Sequence, residues 1–244
     1  MYLDKTSEQV WSVIDETKFM KIFQLLKTFI HRAAPPAIAS PEEDAMKRYG
    51  QHFYQIAECT LMEPYASFHT TSEFASLDLG YVRHCGPTAM VNLTMTLLSY
   101  YKKEQPDAKR LFRQISALGR RRHFYYNMDF LKLFGGTLNL SVHFYMKALL
   151  RKCCFKNAVA GFCFPARPYF LKKQLDAGRI LFVILSFHPR YGAHHLMVYG
   201  YRSLISADGR KKKLYLLTAD GWSGEACYLN ADDLRLSSFV SCQP

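Results

Sequence analysis

Cys85 opens the run Cys85-Gly86-Pro87-Thr88-Ala89, and behind it Ala89, Met90, Leu93, Leu97 and Tyr100 recur at helical spacing. That periodicity predicts a helix over about 86–101. Pro87 suits its first turn, where the missing N–H leaves no intrahelical bond unmade. A thiol at the mouth of such a helix faces the positive end of the dipole and several unpaired backbone N–H groups. Both favour the thiolate, which is the nucleophile, and the same N–H groups can hold the oxyanion of acyl transfer. The plainer alternative is a buried structural cysteine that happens to precede a helix.

A cysteine nucleophile needs a base, and the base needs an orienter. His194 begins the apolar strand pattern His194-His195-Leu196-Met197-Val198-Tyr199-Gly200-Tyr201. Asp220 follows the next one, Leu214-Tyr215-Leu216-Leu217-Thr218. Adjacent antiparallel strands would set imidazole and carboxylate side by side. Taken singly, His194 also reads as a satisfied polar group at a strand end, and Asp220 as a turn residue before glycine. Strand residues alternate faces, so only one of His194 and His195 is expected to meet Cys85. Both faces carry apolar residues, and alternation alone leaves open which one looks at the thiol.

Together these motifs resemble those of the C39-like cysteine peptidases of bacteria, within the papain-like group. The likeness is carried by Cys-Gly-Pro-Thr-Ala opening a helix with Asn92 further along, by His-x5-Gly-Tyr at His194, Gly200 and Tyr201, and by Asp-Gly-Trp at Asp220–Trp222. It covers about residues 78–232, with the motifs in family order. The resemblance implies a papain-like α+β fold with a cleft between a helical N-terminal lobe and an antiparallel β C-terminal lobe. It also implies a Cys-His-Asp triad on Cys85, His194 and Asp220, cleaving a peptide or related amide bond without a metal or organic cofactor. The family spacing before Gly-Tyr selects His194 over His195. One departure stands out: relatives carry a glutamine about six residues before the cysteine as an oxyanion donor, and position 79 here is Leu. Tyr81 or a backbone N–H is the substitute left open. Losing one such donor costs about 10²–10³ in rate. Two alternatives stay open beside hydrolysis. One is an inactive papain-like module binding an acidic partner, the other an acyltransferase using the same triad.

Positioning these residues requires helices first and strands later. A helix is expected over 8–32, and the proline-rich 33–41 after it reads as a linker. The division expected is therefore a helical extension or pro-segment over 1–40 and a catalytic domain over 41–244. A second helix should start at Ser40-Pro41-Glu42-Glu43 and run to about Cys59. Further helices are expected near 107–118, 141–152 and 166–176. Strands are expected over 180–187, 194–201, 214–218 and 225–229. Helices in front of antiparallel strands argue α+β.

The chain has 244 residues and a formal charge of +12, which favours acidic partners and an acidic peptide substrate. The basic residues sit in small groups. Arg120-Arg121-Arg122 runs into Phe124, Tyr125 and Tyr126, but no nucleic-acid motif surrounds it, so no specific nucleic-acid partner is expected. Seven cysteines at irregular spacing do not form a disulfide framework, and Cys153, Cys154 and Cys163 lack the fourth ligand of a zinc site. With neither a secretory signal nor an apolar run long enough to span a bilayer, the expected setting is cytoplasmic.

Overall fold

The computed structural model describes residues 35–61, 67–77, 83–126, 136–137, 139–155, 159–234 and 236–243. The chain divides into two compact units, Met1–Pro35 and Pro36–Pro244, and the architecture below is that of the second. The helix expected over 8–32 lies outside the described residues, as do Leu79 and Tyr81.

The first described helix, α1 (Pro41–Tyr49), begins as expected. Ser40 Oγ accepts from the Glu43 N–H at 3.3 Å, Pro41 sits in the first turn, and acids crowd the positive end. It does not reach Cys59. Gly50 adopts φ 69°, its N–H returns to the Met46 carbonyl, and the left-handed residue closes the helix. The chain then extends into strand β1 (Phe53–Thr60), a correction to the expected continuous helix.

After a short helix α2 (Thr71–Phe74) comes α3 (Cys85–Tyr100), the axis of the molecule. Every residue from Gly86 to Leu98 is buried, because α3 is covered by the sheet on one side and by other helices elsewhere. Helix α4 (Ala108–Arg121) is amphipathic instead, with Leu111, Phe112 and Ile115 turned to α3. A short strand pair, β2 (Tyr125–Tyr126) and β3 (Gly136–Thr137), leads through a 3-10 turn (Asn139–Ser141) into α5 (Val142–Lys152).

The rest builds the main sheet: β4 (Val159–Cys163), helix α6 (Pro168–Asp176), β5 (Ile180–His188), β6 (Gly192–Ser206), β7 (Lys212–Ala219), β8 (Ala226–Asn230) and β9 (Ser238–Cys242). The order is β4-β9-β5-β6-β7-β8, every pairing is antiparallel, and β1 pairs with the far half of β6. The α+β class is as expected, although β1 comes from the front of the chain. Among the described residues no helix is long and apolar enough to cross a membrane.

Two cores flank the sheet, and they settle which way β6 faces. Met197 and Tyr199 pack with Met90, Leu93 and Leu97 of α3, while Leu196 and Val198 pack with Leu171 and Leu175 of α6. Across the ladder His195 pairs with Ile184 of the first core, and His194 with Leu185 of the second. By alternation His195 therefore lies on the face that carries α3.

Candidate active site

Cys85 is the first residue of α3, half-buried, with His84 as an N-cap that makes no side-chain capping bond. The helix's first N–H groups therefore receive no cap from that side chain, as the thiolate argument requires. Gly86 is demanded by its neighbour: a Cβ there would run into the side chain of Thr137. That close approach seats β3 against the first turn of α3 and brings the next turn, with Asn139, beside the thiol.

The Cys85 sulfur lies 3.3 Å from His195 Nδ1, and His195 Nε2 lies 3.1 Å from Asn139 Oδ1. An amide oxygen only accepts, so Nε2 carries the proton and Nδ1 presents its lone pair to the thiol. His194 is also fixed. Its Nε2 donates to the backbone carbonyl of Asp220 at 2.6 Å, which likewise leaves Nδ1 unprotonated in the neutral ring. The ring stacks on Tyr191, with centroids 5.3 Å apart and planes 12° apart, and leans on Trp222 at 5.2 Å.

Both imidazoles act on the thiol. Burial opposes its ionisation, but the charge of His195, followed by hydrogen bonds from His194 and His195, holds Cys85 well below the ordinary thiol value. His194 is pushed the other way: burial lowers it, and the hydrogen bond and charge of Cys85 with the Asp220 carbonyl outweigh burial and raise it. Such opposed shifts favour a thiolate–imidazolium pair. Burial instead moves the thiols of Cys59, Cys153, Cys163, Cys227 and Cys242 up. All seven cysteines are free.

Two expectations are corrected here. The first was that a single imidazole, that of His194, meets Cys85. Instead His195 shares the face of α3 and touches the sulfur, and His194 acts on the thiol as well. The second was that the Asp220 carboxylate lies beside the imidazole. The residue does orient His194, but through its carbonyl. Its buried carboxylate acts on that imidazole through its charge, while its hydrogen bonds are accepted from Trp222 N–H at 2.8 Å, Ser223 N–H at 2.9 Å and Tyr191 O–H at 2.9 Å. With Gly221 at φ 71°, these bonds knot the turn that the plainer reading foresaw.

Asn92 supports the site from behind. Its amide accepts from the His69 N–H and donates to the His69 carbonyl, while Phe68 and Thr71 bond Gly224 and Gly221. The Asp220 turn is thereby tied to α3. Gly200 of the His-x5-Gly-Tyr motif is also explained by packing, since a Cβ there would strike the Cys59 carbonyl of β1. Two functional candidates were not foreseen, Asn139 and Tyr191. Asn139 sits in a run with no local signal, and only the seating of β3 brings it to His195. Tyr191 stood in the hairpin before His194, where its ring was legible but its stacking was not. Among the described residues no three His, Cys, Asp or Glu side chains group as a metal site.

No family model, curated protein or solved structure matches the chain. The likeness to C39-like peptidases therefore rests on the three motifs themselves.

Proposed function

We propose that the chain is a cysteine hydrolase of peptide or related amide bonds, papain-like in arrangement, with Cys85 as nucleophile. The observation that carries this reading is the relay from the Cys85 sulfur to His195 Nδ1 and from His195 Nε2 to Asn139. In it the imidazole takes the thiol proton, and the thiolate attacks the carbonyl carbon. The first N–H groups of α3 face the resulting oxyanion. Collapse expels the amine, which leaves with the proton from the imidazolium, and a thioester remains on Cys85. Water, giving a proton to the same imidazole, then attacks the thioester and frees the acid and the thiol. His195 is the base in this account. His194 is the second imidazole beside the thiolate, held by Asp220, and it would be the base if the family's Cys-His-Asp wiring applied unchanged.

The test is cleavage of a peptide mixture by the intact chain, with products identified by mass spectrometry, alongside Cys85→Ala, His195→Ala and His194→Ala. Loss of a positioned base costs about 10²–10⁴ in rate. His195→Ala should show that loss and His194→Ala a smaller one, with no cleavage by Cys85→Ala. The reverse order would move the base to His194. A wild-type chain that cuts nothing beyond what Cys85→Ala cuts would refute hydrolysis.

A further inference from the structure

Helices α4 and α5 contain no acidic residue, yet they carry Lys109, Arg110, Arg113, Arg120 and Arg121 on one and Lys147, Arg151 and Lys152 on the other. Between them runs an open groove of about 550 Å³. Its apolar wall is made by Leu118, Phe124 and Phe144, and Arg122, Lys147 and Arg151 stand at its rim. Phe144 is 62 % exposed, and Leu140, one turn earlier, is 81 % exposed. Large apolar side chains held in water beside a basic rim call for an occupant that is both anionic and apolar.

We propose that this face docks on an anionic lipid bilayer surface. Phe144 and Leu140 enter the headgroup layer, and Arg122, Lys147 and Arg151 take lipid phosphates. Peripheral attachment of this kind needs two signals together, apolar insertion and a basic patch, and both are present on one face. A nucleic acid fits less well. Of the rings that follow Arg120-Arg121-Arg122, Tyr125 is turned inward and Phe124 is half-buried, which leaves a poor stacking platform. Tyr125 is buried with its hydroxyl 3.0 Å from His84 Nδ1, and Phe124 packs on Tyr145 with ring centroids 5.5 Å apart. The docking face also adjoins the candidate active site, because the turn that displays Leu140 carries Asn139.

Sedimentation of the full chain with vesicles tests this without reference to any enzymatic activity. The chain should sediment with phosphatidylcholine vesicles containing phosphatidylglycerol, not with phosphatidylcholine alone, and added salt should release it. Each rim cation contributes about fivefold in partitioning, so Lys147→Gln with Arg151→Gln should lower it about 25-fold. Phe144→Ser should weaken it with no change in charge. Lys211→Gln with Lys212→Gln, an equal loss of charge at the exposed start of β7, should leave it within about twofold. Equal losses in the two pairs would reduce the effect to net charge and overturn the proposal. So would full binding by Phe144→Ser, equal binding to phosphatidylcholine, or groove variants that lose an acidic peptide or RNA while keeping vesicle binding.

Discussion

At Cys85 two imidazoles compete for one proton, and their surroundings differ. His195 is oriented by the exposed side chain of Asn139, His194 by a backbone carbonyl that no substitution at Asp220 removes. The two positioning residues should therefore fail in different ways. Asn139→Ala should lower kcat/KM about tenfold, about 1.4 kcal/mol of transition-state stabilisation, with little change in melting temperature. Asp220→Ala keeps the carbonyl but leaves Tyr191 O–H and two N–H groups without their acceptor, so it should cost about 3 kcal/mol of stability. Thermal unfolding and kinetics on both variants check this. An unchanged Asp220→Ala melting temperature with lost activity would restore the carboxylate as orienter. The sequence made the thiol and both imidazoles legible by type and spacing. It could not reveal which face of β6 met the thiol, because apolar residues line both sides of that strand.

The hairpin between β5 and β6 positions Tyr191, and His188 organises it. His188 Nδ1 accepts from the Arg190 N–H at 3.1 Å and the Tyr191 N–H at 3.4 Å. Burial, with the positive charges of Arg48, His194 and Arg190, lowers His188 from 6.5 to about 4. Asp233 approaches to 4.0 Å, but its carboxylate is shared with Arg48 at 2.9 Å. Because the folded value lies below the ordinary one, the unfolded chain takes up the proton first. The stability tied to neutral His188 is thus intact above pH 6.5 and drains away as pH falls towards 4, by roughly 3 kcal/mol. Denaturant titrations of wild type and His188→Gln should diverge across that window, and parallel curves would show that His188 does not titrate as described. At this scale the sequence was legible where periodicity was strong, in α3 to α6 and in β5 to β8. It misled at 50–59, where Gly50 ends the helix and residues 53–60 find their partner in β6, nearly 150 positions later.

The whole sheet depends on such distant pairings. β1 joins β6 from the front of the chain, and β9 inserts between β4 and β5 from its end, so neither has a local signature. This closure presses β6 onto α3 and sets His195 against the helix that presents Cys85. A sulfur so placed should behave as a thiolate where ordinary thiols do not. The pH dependence of iodoacetamide labelling at each cysteine, mapped by mass spectrometry on the folded chain, reads this directly. Cys85 should label faster than the other six, and as pH falls from about 8 its rate should decline much less than that of an ordinary thiol, which slows about tenfold per pH unit. A Cys85 rate that falls about tenfold per pH unit over that range would contradict the account.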